Sequence, residues 1–356
     1  MELGERKQHL LSAAIEVYIH TGEPVGSKLL AERLGHMGLS VSSATIRNEM
    51  AELAALGYLE QPHTSAGRIP TGKAFRLYID RLMHRTTLSE EEKRNIRAML
   101  APVADDPEKL LSEATGALAQ VTGCAALSAS PRSAGSAVHR VDIMRVSTRT
   151  VALLLITDSG LLRNRVCRFD RPVDDALLSG LRAVFNARFA GRALCDIGMA
   201  EVQSMLIDLG GGALLCAPAL TAFHELVRES AAAEVRCAGQ LNLLHHPDYG
   251  PEDSRLLLGL LAHQGELAQM LSPHAGGLQV VLGSESARPE LSHSSLIVTH
   301  YSPDGKGVGT LGLIGPMRMD YAYAIPRLEF IAQLVSKQLA GLFDPGDVSV
   351  NMMKEG

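Results

Sequence analysis

The stretch SVSSATIRNEM, residues 40–50, gathers three hydroxyls, a cation and an amide at what reads as a helix entrance: Ser42, Ser43, Thr45, Arg47 and Asn48. Such a set is suited to gripping a polyanion. The first backbone N–H groups of a helix lack intrahelical partners and meet phosphates well. A helix fits the major groove of duplex DNA, and its first turns bring side chains to base edges. Hydroxyls can bond phosphates or bases, Arg47 can reach guanine O6 and N7 or a phosphate, and Asn48 suits adenine. A second set follows in HTSAGR: His63, Thr64, Ser65 and Arg68 lie around a small polar turn between two short extended pieces, 58–62 and 68–71. The tip of such a hairpin would touch the neighbouring DNA backbone or minor groove. More simply, the hydroxyls only cap a surface helix and Arg47 pairs with nearby acids.

These residues need elements to hold them. Leu10, Leu11, Ala14, Ile15, Tyr18 and Ile19 recur at helical spacing over 5–19. HTGEPVG (20–26) then breaks that helix, with Gly22 suited to a C-cap and Pro24 to a turn. Ser27 can cap a short helix over 28–34, which Gly35 and Gly38 stop. Ser42 or Ser43 is the N-cap of the next helix, whose Ile46, Met50, Leu53 and Gly57 share one face. After the hairpin a last helix begins at Thr71 and runs over 73–84. Helix, helix, turn, helix and two-stranded hairpin is the order of a winged helix-turn-helix, here expected over residues 1–85. Residues 86–107 are charged and then Pro/Asp-rich, a connecting helix and linker.

Farther on, a helix at 108–121 precedes strand-like runs at 124–130, 137–147, 150–157 and 163–169. Residues 174–234 are almost continuously helical, broken by DLGGGA (208–213). A short extended run at 234–244 and a helix at 253–271 follow, then strands at 278–283, 294–302 and 309–316 and a helix at 320–342. Strands, a block of helices and strands again predict an α+β domain interrupted by an inserted, mainly helical one. The fold class expected is therefore multidomain α+β, and 356 residues are too many for a single core.

Composition narrows the function classes. Net charge is −5, which taken whole argues against a nucleic-acid partner. Charge is unevenly placed, however: over 62–85, Arg68, Lys73, Arg76, Arg81 and Arg85 stand against Asp80 alone. The five cysteines (Cys124, Cys167, Cys195, Cys216, Cys237) are scattered and form no C-x-x-C, so buried thiols in a reducing compartment are expected rather than disulfides or zinc. No apolar stretch approaches a bilayer span, and the first residues mix charges into apolar positions unlike a signal peptide. A cytoplasmic protein with no membrane partner is expected.

Other motifs read as structure. GVGTLG places Gly307, Gly309 and Gly312 in the G-x-G-x-x-G pattern, but it follows a Pro-Asp-Gly turn and runs into extended LGLIGP rather than a helix, as a dinucleotide site would require. Gly210–Gly212 lacks the Lys-Ser/Thr of a phosphate loop. His245 and His246 are adjacent and poorly placed to share a metal. In GPMRMDY (315–321), Asp320 can cap the closing helix and Arg318 can pair internally or across a dimer. No nucleophile, base and orienting group recur at a catalytic spacing. No catalytic residue, cofactor or metal is expected, and the chain reads as a binding protein, not an enzyme.

The residues at 40–80, SVSSATIRNEMAELAALGYLEQPHTSAGRIPTGKAFRLYID, closely resemble the signature of the HrcA family of bacterial heat-inducible transcription repressors. YIHTGEPVGSKLL (18–30) fits its first helices and GLIGPMRMDYAYAIP (312–326) resembles its C-terminal signature. Ala54–Ala55, AFR (74–76) and GQLNLLHHPDY (239–249) depart from the family pattern. The resemblance implies a homodimer whose winged helices bind CIRCE, an inverted-repeat operator in double-stranded DNA upstream of groE- and dnaK-type chaperone operons. It also implies activity maintained by the GroE chaperonin and lost on heat stress. The domains it implies are a winged helix (1–85), a linker (86–107), a GAF-like domain in two parts (108–171 and 273–345), an inserted dimerisation domain (172–272) and a tail (346–356). A metabolite-gated regulator sensing a small ligand in the GAF-like domain is the alternative.

Overall fold

The computed structural model describes residues 3–36, 39, 41–62, 67–104, 106–130, 136–158, 162–208, 213–231, 234–271, 277–302 and 309–342. It divides into two compact units, one of residues 1–128, 236–300 and 310–335, the other of 129–235, 301–309 and 336–356.

In the first unit, α1 (Glu5–Thr21) buries Leu10, Leu11, Ala14 and Ile15 and stops at Gly22, whose φ of 69° is a left-handed C-cap. The helix α2 (Ser27–His36) buries Leu30 and Leu34, and α3 (Ser43–Ala55) buries Ile46, Met50 and Leu53. Each buried Leu, Ile or Met side chain contributes about 1.5–3 kcal/mol of transfer free energy when removed from water, so the apolar stripes fix which faces remain outside. The hairpin is short: β1 (Leu59–Glu60) pairs antiparallel with β2 (Ile69–Pro70), Leu59 opposite Pro70. Val25 adds a further rung by exchanging backbone hydrogen bonds of 2.9 and 3.0 Å with Arg68. Thr71 caps α4 (Gly72–Leu77), which continues as a π-helical turn over Tyr78–Leu82 rather than as the regular helix expected to 84. Within 86–107 lies α5 (Glu90–Leu100), opened by a reciprocal Ser89–Glu92 capping box.

Beyond it the chain runs α6 (Pro107–Thr122), β3 (Ala125–Ala129), β4 (Val138–Arg145), β5 (Thr150–Thr157), β6 (Leu162–Arg168), α7 (Asp175–Phe189), α8 (Met199–Asp208) and α9 (Ala213–Ala231). It then runs β7 (Val235–Ala238), α10 (Gln240–Leu244), α11 (Pro251–Ala262), α12 (Gln264–Met270), β8 (Gln279–Leu282), β9 (Ser294–Tyr301), β10 (Gly309–Pro316) and α13 (Tyr321–Leu342). Five strands form one sheet in the order β7-β3-β10-β9-β8. Its middle strands are buried on both faces, wholly in β3 and β10, which is why they read as unbroken small and apolar runs without alternation.

Strands β4, β5 and β6 form a separate antiparallel sheet. Val151, Leu153 and Leu155 of β5 are fully buried, while the residues between them are only partly covered. The buried side belongs to one core with α7 and α9, where Phe223 lies 4.6 Å from Phe185 and 4.9 Å from Phe189 between ring centroids. Asn186 of α7 occupies the free edge of β4: its Oδ1 accepts from Val141 N–H at 2.9 Å and its Nδ2 donates to Val141 C=O at 2.7 Å. The compact units therefore do not divide at residue 172, where the inserted domain was expected to start. The meander shares its apolar face with α7 and α9 and falls in one compact unit with them.

Candidate nucleic-acid interface

Local chemistry shapes the entrance of α3. Ser42, not Ser43, is the N-cap: its backbone is extended (φ −68°, ψ 147°) and its Oγ accepts from Thr45 N–H at 3.2 Å. The Thr45 hydroxyl lies 2.8 Å from the same oxygen. With Ile46 and Met50 turned into the core, the 100° step of the helix puts Arg47 and Asn48 on the outside, where both are exposed. Ser43 and Thr45 are half-buried beside them.

The acids of α3 lie two and five residues beyond Arg47, on other faces of the helix, and are engaged by α1. Glu49 pairs with Arg6 at 2.6 Å and Glu52 with Lys7 at 2.7 Å. Among the described residues no carboxylate pairs with Arg47. The cap and the outward cation thus coexist: Ser42 satisfies part of the helix start, while Arg47 and Asn48 present one cation and one amide to solvent. Arg68 lies at the base of the hairpin, its backbone locked to Val25 and its side chain half-buried. His63, Thr64 and Ser65 lie outside the described residues.

Three of the five cations over 62–85 are turned to partners within the protein. Lys73 donates to the Leu56 carbonyl at 2.8 Å and lies 4.5 Å over the Tyr58 ring. Arg76 Nε donates to Glu285 at 2.8 Å, and that bond holds the Glu285 carboxyl below the usual carboxylate range. Arg85 pairs with both oxygens of Glu329, at 3.0 and 2.9 Å. A count by sequence window credits Arg76 and Arg85 to a partner, because their carboxylates lie 209 and 244 residues away in the chain. The cationic share of the candidate surface rests instead on Arg47 and Arg68.

The glycine-rich motif is packing. Gly309 and Gly312 lie on the buried strand β10, and a Cβ at Gly309 would fall 2.1 Å from the Tyr301 ring. Gly307 and Gly210–Gly212 lie outside the described residues. Asp320 accepts from Tyr323 N–H at 3.0 Å and caps α13, and Arg318 pairs internally, with Asp248. His246 lies 3.8 Å from Asp248, and burial pushes its imidazole below the usual value. Among the described residues no group of His, Cys, Asp and Glu is arranged to hold a metal ion, and no helix is long and apolar enough to cross a membrane. All five cysteines are free thiols; Cys124, Cys167 and Cys216 are buried, Cys237 is half-buried, and Cys195, expected inside, is exposed.

Comparison with known proteins gives a consistent result. A curated "Heat-inducible transcription repressor HrcA" from Clostridium botulinum (strain Eklund 17B / Type B) is 33% identical over 328 residues, covering 91% of this chain and 94% of the relative. Proteins of the same name from Desulforudis audaxviator and Moorella thermoacetica are 33% and 34% identical, each covering 96% of this chain and 100% of the relative. A crystal structure of a hypothetical protein shares the fold at a TM-score of 0.64 and 27% identity, covering 96% of this chain and 100% of that one. The sequence profile of the HrcA protein C-terminal domain matches residues 108–325. The chain belongs to the HrcA family.

Proposed function

We propose that this chain is a heat-inducible transcription repressor that binds the CIRCE inverted repeat of chaperone operons as a homodimer. In this reading the 1–85 region is a winged helix-turn-helix. Its α3 enters the major groove with Arg47 and Asn48 at base edges, Ser42, Ser43 and Thr45 near phosphates, and the hairpin residues His63, Thr64, Ser65 and Arg68 on the adjoining backbone. The observation that carries it is the exposure of Arg47 and Asn48 on a capped helix whose neighbouring acids are held by Arg6 and Lys7.

Two small heads on a palindrome read twice the sequence that one head reads, which favours a symmetric dimer. A face for that contact exists on the three-stranded sheet. Met144, Ala152 and Val166 form one row across it, and Met144, Leu162 and Val166 are 57%, 51% and 59% exposed. Exposed apolar side chains on one face of a sheet are suited to association with another copy. We assign the dimer contact to this sheet within 129–235, and a GAF-like role to the five-stranded sheet. GroE is the proposed partner that maintains repression. When heat diverts the chaperonin to unfolded clients, active repressor falls and transcription rises.

Footprinting on the host's chaperone promoters, with and without GroE, tests this. Protection of both arms of an inverted repeat, strengthened by GroE, is expected. Protection that responds to a small metabolite and not to GroE would favour a ligand-gated regulator instead.

A further inference from the structure

Three arginines tie the helices that carry α3 to the C-terminal part of the same compact unit. Arg318, in the turn before α13, is only 12% exposed in its side chain. Its Nε donates to Asp248 Oδ1 and Oδ2 at 2.8 and 2.7 Å, and its Nη1 donates to the Ile19 carbonyl at 2.9 Å. Ile19 sits in the last turn of α1, where carbonyls lack helical partners and the dipole favours a cation. The guanidinium packs against Gly22, 3.0 Å from where a Cβ would be, so the glycine C-cap leaves room for this seat.

A second tie is Arg76 on α4. It meets Glu285 through both Nε and Nη2, a two-point charge-assisted contact with fixed geometry, and Nη2 also donates to the Val280 carbonyl at 2.7 Å. The third tie is Arg85 on Glu329, beside Thr86, whose N–H and hydroxyl both donate to the Ala322 carbonyl at 3.0 Å. Between these polar ties runs a row of rings: Tyr18 to Phe75 at 6.4 Å, and Phe75 to Tyr321 at 6.2 Å. Tyr321 is itself fixed, bonded to the Ser295 hydroxyl and the Met317 carbonyl. The seam thus grips α1 at its C-terminus and α4 along its length and just past its end. In turn, α1 holds α3 through Arg6–Glu49 and Lys7–Glu52.

A head on a flexible tether would leave these cations free for DNA phosphates, and would accept operators over a range of half-site separations. A head seated on three directional ion pairs has one attitude. We propose that Arg318, Arg76 and Arg85 are positioning residues, which set the angle of α3 against the C-terminal part of its own compact unit and so narrow the range of half-site spacings that the protein accepts. This rests on the DNA-binding reading above. Base contacts then decide which sequence is read in each half, and the seam narrows how far apart the halves lie.

The test is a spacing series, with full-length protein and duplexes carrying the inverted repeat with base pairs inserted or removed between the halves. Wild type is expected to peak at one spacing and fall at least about tenfold within a few base pairs, since half-site separation is a geometric property of a rigid dimer. The Glu285→Gln and Glu329→Gln double variant keeps size and removes two ties. It is expected to bind a single half-site within about twofold of wild type while its spacing profile flattens. The charge exchange Arg76→Glu with Glu285→Arg is expected to restore the peak that Arg76→Glu alone loses. A double variant with an unchanged profile would overturn the proposal. So would single half-site affinity that falls in step with affinity for the spaced repeat, since that is damage to the head and not to its placement. If wild type shows no preference for the inverted repeat at any spacing, the DNA-binding reading itself fails, a separate result.

Discussion

Arg47→Ala is the substitution whose effect the geometry constrains most tightly. The side chain is exposed, and among the described residues no carboxylate pairs with it. Removing it breaks no ion pair and opens no cavity. Alanine is also a better helix former than arginine, by a few tenths of a kcal/mol at most. Folding stability is therefore expected to stay within about 0.5 kcal/mol of wild type, as for surface positions away from special features. Binding is different. A base-contacting arginine contributes about 1–3 kcal/mol of discrimination, a loss of about 5- to 150-fold in Kd. The assay is an anisotropy titration against an inverted-repeat duplex and a shuffled duplex at one fixed salt concentration, with thermal melts of both proteins. An unchanged Kd for the inverted repeat would refute the assignment and leave Arg47 a solvated surface cation. A loss equal on both duplexes would move Arg47 from base edge to phosphate.

Arg68→Ala is expected to weaken binding to every sequence alike and to shallow the slope of log K against log salt by about one, as for one lost phosphate contact; an unchanged slope would remove that role. Ser42→Ala is expected to cost about 1 kcal/mol of stability through the lost cap on Thr45 N–H, measured by denaturant unfolding, and no loss would mean that water caps the helix equally well. Val166→Asp, on the exposed face of the three-stranded sheet, is expected to shift a dimer to monomer in sedimentation at micromolar concentration while the monomer stays folded; a persistent dimer would place the contact elsewhere. The Glu285 carboxyl is held below its usual range by Arg76. Its contribution is therefore complete above the ordinary carboxylate pKa of about 4.3 and is lost as pH falls through the lowered value. Wild type is accordingly expected to lose more melting temperature than Glu285→Gln on acidification from about pH 5 to 3, and parallel losses would show that the pair is not felt.

Much of the molecule is legible in sequence where one local rule decides it. The spacing of Ile46, Met50 and Leu53, with a serine before them, is enough to place α3 and to point Arg47 outward. The break at Gly22 and the cap at Asp320 are equally local. What escapes is set by partners distant in the chain. Arg76 and Arg85 look like DNA-facing charge until Glu285 and Glu329 are placed beside them. Val25 reads as part of a turn, because a single bridging residue carries no alternating pattern. The strands at 138–168 do alternate, yet alternation says only that one face is covered. Which helices cover it emerges from the aromatic cluster of Phe185, Phe189 and Phe223, and that cluster moves the sheet into the other compact unit.

The central claim is sequence-specific DNA binding by α3, and affinity for a specific against a shuffled operator tests it most directly. With the full chain, salt fixed near physiological strength and both duplexes equal in length and composition, the inverted repeat is expected to be bound at least about a thousandfold more tightly. Equal affinity for the two duplexes, or no binding to either at micromolar protein, would contradict it.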